Sequence, residues 1–376
     1  MRICLIYDCL YPYTVGGAER WYRNLAIRLR DAGHEVTYLT MRQWDGDLDD
    51  LDGIDVRVVA PRMRLYTGSR RRILPPLVFG AGVLWELLRR GRRLNVVHTA
   101  SFPYFSLLAA AAARPLGGYR IVCDWHEVWS RDYWRDYLGA AGGRIGALVQ
   151  TLCAHVGQRA FCFSELHARR LREAGLRGEV TVLKGEYEGS LDPPEPNVAD
   201  PLVVFAGRLI PEKRAPAVAP AVALAAGRVP GLRGLVFGDG PERDSVRASL
   251  DGTPVEAPGF VAAEEIENAL RRALCMVLPS SREGYGLIVV EAAASGTPSV
   301  VARAPDNAAV ELVEDGVNGV VAASAAPEEL AAAIVRVHQG GAALRASTCA
   351  WFADNARRLS LEASLETVLA SYSERR

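Results

Sequence analysis

The chain's 376 residues include 44 Lys+Arg and 44 Asp+Glu, for no net charge, with 49 % hydrophobic and 23 % charged residues. That length exceeds what one hydrophobic core usually fills, so two domains are expected, and the composition is that of an ordinary globular enzyme. Seven cysteines at irregular spacing, with no C-x-x-C pair, argue against a disulfide framework and a structural zinc site, and no run of about 18 apolar residues offers a bilayer-spanning helix.

The opening "MRICLIYDCLYPY" lacks the basic, apolar, small-residue pattern of a secretory signal, so a reducing cytoplasm is the expected compartment. "RICLIYD" is an apolar run of strand length, and "GAERWYRNLAIRLRDAGH" has helical spacing with a glycine stop. Between them, Gly16 and Gly17 would let backbone approach a phosphate or a sugar ring, although a plain turn uses glycines too. Glu19 complements the positive helix N-terminus.

"EVTYLT", "DVRVVA", "NVVHTA" and "YRIVCDW" follow as strands, spaced widely enough for crossover helices, and "RAFCFS" and "GEVTVLK" continue the plan. Such alternation predicts a parallel sheet covered on both faces. The acidic run "DGDLDDLDG" at 45–53 lacks the strand-end setting of a metal-binding D-x-D motif, so no metal and no resident cofactor is expected. Residues 62–93 hold nine arginines, one glutamate and an apolar centre with Trp85. A segment of that kind can lie on an anionic membrane surface, or it can be a core helix whose Arg-rich end matches its dipole. In "VCDWHEVW", His126 follows a strand and is placed to bond a sugar hydroxyl or move a proton, unless it is a satisfied structural histidine.

Residues 1–184 hold 27 Lys+Arg against 18 Asp+Glu, a net +9, which leaves 17 against 26, a net −9, for the rest. Each half therefore has its own charge character. The proline-rich, acidic "EGSLDPPEPNVADP" reads as a linker. The expected organisation is a first domain over 1–188, a linker over 189–200, a second domain over 201–357 and a terminal helix over 358–376 that returns to the first.

The second half restarts with strands at "LVVFAGRL", "LRGLVFGDG", "CMVLPSS" and "TPSVVAR". In "FAGRLIPEKR", Arg208 and Lys213 follow a strand on a proline-containing loop, where a forked and a point cation can clamp a diphosphate. "FGDGPERD" begins like a dinucleotide fingerprint but carries Arg243 where the third glycine belongs, so a turn over a nucleobase suits it better than NAD. In "PSSREGYGLIVVEAAASGTPSVV", Glu283 precedes a helix and Glu291 lies one to two turns inside it. Gly284 and Gly286, flanking Tyr285, bare the backbone at that helix N-terminus, where amides favour an anion. Two carboxylates beside an anion site can accept hydrogen bonds from sugar and ribose hydroxyls. A solvated helix face is the plainer alternative for the pair.

The order of these motifs, above all the E-x7-E spacing of Glu283 and Glu291, resembles retaining GT-B glycosyltransferases of family 4, glycosyl transferases group 1. "RAPDNAAVELVEDGVNG" adds to the likeness. It implies two doubly wound Rossmann-like domains facing across a cleft, and a nucleotide-diphosphate sugar as donor substrate, with UDP or GDP as the nucleotide. It further implies that Arg208 and Lys213 contact the diphosphate, Glu291 the ribose, and Glu283 the transferred sugar, with the backbone of Gly284, Tyr285 and Gly286. Gly16, Gly17 and His126 would serve donor or acceptor from the first domain. The acceptor would be a glycan, lipid-linked or a small molecule, reached at the inner face of the cytoplasmic membrane, with no nucleic acid. A nucleotide-sugar 2-epimerase and a non-catalytic nucleotide-sugar-binding subunit are the alternatives. One departure is "VTVLKGEYEG", where Lys184 and Glu186 replace the usual residues before the linker.

Overall fold

The computed structural model describes residues 1–14, 16–46, 48, 51, 53–67, 70–192, 194–195 and 197–373. Residues 47, 49, 50 and 52 of the acidic run at 45–53, and 68 and 69 of the basic segment at 62–93, therefore lie outside the described residues. The chain divides into two compact units, Met1–Leu183 with Ser364–Arg376, and Lys184–Ala363.

Unit 1 runs β1 (Arg2–Ile6), α1 (Gly17–Asp31), β2 (Glu35–Met41), β3 (Asp55–Ala60), the short antiparallel pair β4 (Tyr66–Thr67) and β5 (Arg70–Arg71), and α2 (Leu74–Arg90). It continues with β6 (Val96–Ala100), α3 (Phe105–Gly117), β7 (Arg120–Trp125), α4 (Arg131–Ala154), β8 (Gln158–Cys162), α5 (Glu165–Glu173) and β9 (Gly178–Val182). Its parallel sheet has the order β3-β2-β1-β6-β7-β8-β9. Successive residues of a strand point to opposite faces. Cys4 and Ile6 of β1 accordingly join one core with Phe79 and Val83 of α2, Leu107 of α3, Cys153 of α4 and Leu171 of α5, which places α2 to α5 on one face. The glycine stop predicted for α1 is Gly33, in the left-handed conformation at φ 79°.

Unit 2 runs β10 (Leu202–Ala206), α6 (Val218–Ala226), β11 (Arg233–Phe237), α7 (Arg243–Ser249), β12 (Val255–Gly259), α8 (Ala263–Arg272), β13 (Cys275–Leu278), β14 (Arg282–Glu283) and α9 (Leu287–Ala294). It closes with β15 (Ser299–Ala302), β16 (Asp306–Asn307), β17 (Gly319–Ala322) and α10 (Pro327–Leu359); a last helix, α11 (Leu361–Ser373), follows. The parallel sheet has the order β12-β11-β10-β13-β15-β17, and β14 pairs separately with β16. Sequence reading anticipates β10, β11, β13 and β15 but neither β12 nor β17. β12 carries Glu256 and Pro258, and β17 is four residues long directly after the turn-rich "EDGVN", so neither offers the sustained apolar run of strand length that marks the others.

The motif order is thus realised as two parallel α/β sheets of Rossmann type, with helices between strands.

Candidate functional site

In open α/β sheets, ligands bind beyond the carboxyl ends of the strands, at the point where strand order reverses. In unit 2 that point lies between β10 and β13, because β10 runs on to β11 on one side and pairs with β13 on the other. The loops leaving these two strands carry Lys213 and Glu283. The Lys213 ammonium donates to both carboxylate oxygens of Glu283, 2.6 Å to Oε1 and 2.8 Å to Oε2. The Ser280 hydroxyl, itself buried, donates to Glu283 Oε1 at 2.6 Å. Glu283 is 7 % exposed, so its charge sits in a largely dry environment and needs these partners.

The two loops are tied together independently of that pair. The backbone N–H of Ser281 donates to the Glu212 carbonyl at 2.8 Å, the Ser281 hydroxyl donates to the same oxygen at 3.1 Å, and Arg282 pairs with the Glu212 carboxylate at 3.2 Å. Asn307 anchors the far side: its amide nitrogen donates to the carbonyls of Ser280 and Ala302, and its side-chain oxygen accepts from the Ala309 N–H. Lys213 and Glu283 are consequently held by backbone geometry as well as by their own attraction.

Glu283 leads through Gly284 and Tyr285 to Gly286, which caps α9 at φ 102° and ψ 48°. A Cβ at Gly286 would lie 2.4 Å from that of Ala309, so both conformation and packing call for glycine. Tyr285 is buried and donates from its hydroxyl to the Lys184 carbonyl at 2.7 Å; burial pushes its hydroxyl well above the usual pKa. The variant segment around Lys184 is therefore fastened to the loop that carries Glu283. Glu291 is the fifth residue of α9, half-buried, and its charge helps raise the pKa of Tyr187, behind the effects of burial and of Glu267.

Arg208 is exposed two residues beyond β10, on the loop that leads to Lys213. "FGDGPERD" packs on this loop. Leu209 donates to the Asp239 carbonyl at 2.9 Å, and Glu242 donates to the Leu209 carbonyl at 2.8 Å. A Cβ at Gly238 would come within 1.9 Å of the Gly207 carbonyl oxygen, and one at Gly240 within 2.4 Å of the Leu209 carbonyl oxygen. These two glycines are required by contact with the Arg208 loop, a reason within the fold that the fingerprint likeness did not suggest.

In unit 1, strand order reverses between β1 and β6. Gly16, in extended backbone, caps α1 beyond β1, and Gly17 is its exposed first residue. A Cβ at Gly17 would meet nothing within 4 Å, so no steric demand of the described protein explains a glycine there. His126 lies one residue beyond β7 and stacks on Phe163 at 4.6 Å between ring centroids. Its Nε2 is buried and has no described hydrogen-bond partner. Burial lowers its pKa, with Asp124 and Glu127 opposing.

Sequence reading missed the groups behind His126. Asp124 is fully buried on β7; it accepts from Trp21 Nε1 at 2.7 Å and lies 2.9 Å from His98 Nε2, while His98 Nδ1 is 2.5 Å from the Tyr372 hydroxyl. Burial works to raise the Asp124 pKa, but His98, His126 and the Trp21 hydrogen bond together outweigh it and lower it. Asp8, buried after β1, pairs with Arg71, whose guanidinium also lies over the Phe102 ring. A polar residue at the end of an apolar strand was the available signal for Asp8 and Asp124. Among the described residues, no three His, Cys, Asp or Glu side chains cluster so as to hold a metal ion, and no helix is long and apolar enough to cross a membrane.

The helix of the basic segment packs into the core on one side and exposes apolar side chains on the other. Phe79, Val83 and Leu87 of α2 are buried, while Leu74, Leu77, Trp85 and Leu88 are exposed, with exposed Arg89 and Arg90 at the helix end.

Residues 15–184 match Glycosyltransferase Family 4, and residues 200–339 match Glycosyl transferases group 1. Over 361 residues, 89 % of this chain and 85 % of the relative, the chain is 25 % identical to glycogen synthase of Mycobacterium tuberculosis. It is 33 % identical to sulfoquinovosyl transferase SQD2 of Arabidopsis thaliana over 81 % of this chain and 60 % of that one. It is also 33 % identical to D-inositol 3-phosphate glycosyltransferase of Segniliparus rotundus, over 52 % of this chain and only 43 % of the relative. Among solved structures, sucrose-phosphate synthase of Thermosynechococcus elongatus superposes with a TM-score of 0.75 at 18 % identity, covering 99 % of this chain and 98 % of that one. Anabaena HepE in complex with UDP gives 0.72 at 18 %, covering 99 % and 100 %. Matched by family over both sheets and by fold over nearly its whole length, the chain belongs to the family 4, group 1 glycosyltransferases with the GT-B fold.

Proposed function

We propose that this chain moves a sugar, with retention of configuration, from a nucleotide-diphosphate donor to a glycan, lipid-linked or small-molecule acceptor. The observation that carries the reading is the Glu283 carboxylate, held by Lys213 and Ser280 at the switch point of unit 2, directly before the N-terminus of α9. HepE and its complexes with UDP and UDP-glucose support UDP as the first nucleotide to try, with GDP second.

In this reading the α9 N-terminal amides, Arg208 and Lys213 face the diphosphate, and Glu291 faces the ribose hydroxyls. Glu283 accepts hydrogen bonds from hydroxyls of the transferred sugar, beside the backbone of Gly284, Tyr285 and Gly286. Lys213, bonded to Glu283 without donor, then lies between the carboxylate and the leaving phosphate. As the sugar–phosphate bond lengthens, positive charge grows on the sugar and negative charge on the phosphate, and preorganised groups of opposite sign lower that barrier. The departing phosphate oxygen takes the proton of the acceptor hydroxyl on the same face, so no separate base is needed. His126 and the Gly16–Gly17 turn, beyond the strand ends of unit 1, serve sugar or acceptor recognition.

Thermal shifts with UDP-, GDP- and ADP-sugars identify the donor, since ligand at about 100 times its Kd stabilises by about 2.7 kcal/mol. Transfer and donor hydrolysis are then measured for wild type, Lys213→Ala and Glu283→Ala. Losses of about 10²-fold or more are expected. Equal rates in all three proteins would overturn the assignment, and release of an epimerised sugar without acceptor would favour the epimerase reading.

The exposed Trp85 and Leu88, bordered by Arg89, Arg90, Arg92 and Arg93, support peripheral contact of α2 with an anionic membrane. Co-sedimentation with anionic vesicles tests it, and binding unchanged in Trp85→Ser/Leu88→Ser would count against it.

A further inference from the structure

Between Glu283 and the first residue of α9 the sequence reads Gly-Tyr-Gly, so Tyr285 carries the only side chain in that stretch. Upstream, the loop is fastened several times. Lys213 and Ser280 hold the Glu283 carboxylate, Ser281 and Arg282 bond Glu212, and β14 pairs with β16. Downstream, two glycines leave the backbone permissive. The described hydrogen bond from there to another segment is made by the Tyr285 hydroxyl, which donates to the Lys184 carbonyl at 2.7 Å.

The acceptor of that bond is itself fixed. Lys184 is the first residue of unit 2 and Ala363 its last, so the chain passes to unit 1 at both places. Just inside unit 2 the two joining segments are bonded to each other. The Tyr187 N–H donates to the Leu359 carbonyl at 3.1 Å, and the Leu361 N–H donates to the Tyr187 carbonyl at 2.9 Å. The Tyr187 ring meets that of Phe352 edge-on at 5.7 Å between centroids. A Cβ at Gly185 would come within 2.0 Å of the Ser360 carbonyl oxygen, so the backbone beside Lys184 packs directly on the turn between α10 and α11.

We propose that the Tyr285 side chain is a positioning residue for transfer: its hydroxyl holds the downstream end of the Glu283 loop on this joint and so sets where the carboxylate meets the transferred sugar. The proposal rests on the function proposed above and deepens it. Lys213 cannot orient Glu283 alone once a diphosphate shares its ammonium, so the loop itself must hold the carboxylate in place. A displacement of about 1 Å near the reacting atoms is enough to cost about 100-fold in rate. The departure at "VTVLKGEYEG" thereby has a use that runs through its backbone, the Lys184 carbonyl.

Transfer is measured for wild type, Tyr285→Phe, Glu283→Ala and Glu283→Ala/Tyr285→Phe, with Tyr119→Phe as control. The buried Tyr119 hydroxyl donates to the Ala110 carbonyl at 2.8 Å, ahead of β7 and so away from the carboxyl ends of the strands. Its phenylalanine variant loses the same kind of bond. Tyr285→Phe should lower kcat by about 10- to 100-fold with the donor KM unchanged, the pattern of an interaction that counts in the transition state. Tyr119→Phe should melt like Tyr285→Phe and keep the wild-type kcat. In the Glu283→Ala background, Tyr285→Phe should cost less than about twofold, because residues that act as a unit are not additive. An equal fractional loss with and without Glu283 would show a general structural role and overturn the inference. So would a wild-type kcat in Tyr285→Phe beside a slow Glu283→Ala, a result that leaves the transfer reading intact. A wild-type rate in Glu283→Ala would remove both.

Discussion

Lys213 and Glu283 stand 70 positions apart in the chain and 2.6 Å apart in space, at the carboxyl ends of two neighbouring parallel strands. Their separation in sequence and union in space follow from strand order: β13 returns to the side of β10 that β11 left open. The pair marks the reversal point of the unit 2 sheet, where a ligand finds strand-end loops from both directions.

Breaking one side of this pair should be costly twice. Lys213→Met leaves a nearly buried carboxylate with Ser280 alone, and loss of one partner of a buried ion pair costs about 3 kcal/mol. Chemical denaturation should show that loss in both Lys213→Met and Glu283→Leu. The double variant should recover most of the stability and none of the transfer activity. Recovered activity would show that the pair only supports the fold.

Gly17→Ala separates a ligand role from a structural one. A Cβ there meets nothing, and alanine at a helix start is favoured over glycine, so the variant should melt no lower and gain up to about 1 kcal/mol. Transfer should nevertheless fall if backbone approaches the ligand at this turn. Unchanged kcat/KM would leave Gly16–Gly17 as a plain turn.

Gly286→Ala should be destabilising through both backbone and packing. A left-handed residue other than glycine costs about 1–3 kcal/mol, and the new methyl lands on Ala309. Adding Ala309→Gly should relieve the packing share only, so the melting temperature of the double variant should fall between those of wild type and Gly286→Ala.

Two groups in unit 1, the half-buried His126 and the fully buried Asp124, make stability fall on acidification. Burial lowers the His126 pKa from the ordinary 6.5, so the unfolded chain binds that proton more readily than the folded one. Stability is fully present above about pH 6.5 and declines as pH falls below it. Asp124, lowered from 3.8, adds a second decline only in more acidic solution, below its unfolded value. Denaturation midpoints of wild type and His126→Gln between pH 5 and 8 should diverge, with the variant flatter. Parallel curves would show that the imidazole does not carry the dependence.

Most of the local plan is legible in the chain itself. Continuous apolar runs such as "LVVFA", of strand length and rich in β-branched residues, read as strands buried on both faces, and helices with glycine stops between them predict parallel crossovers. Arg208, Lys213, Glu283 and the glycines around Tyr285 are recognisable because each follows such a run. β12 and β17 escape notice because Glu256 and Pro258 interrupt the one and the other is a four-residue piece directly after turn residues. That Glu283 meets Lys213, that Gly238 packs on the Arg208 loop, and that Asp124 lies against His98 beside a half-buried His126 are settled only by tertiary structure. Periodicity reports the environment of neighbouring residues, whereas these contacts depend on which strands lie side by side, a choice made by the packing of the whole sheet.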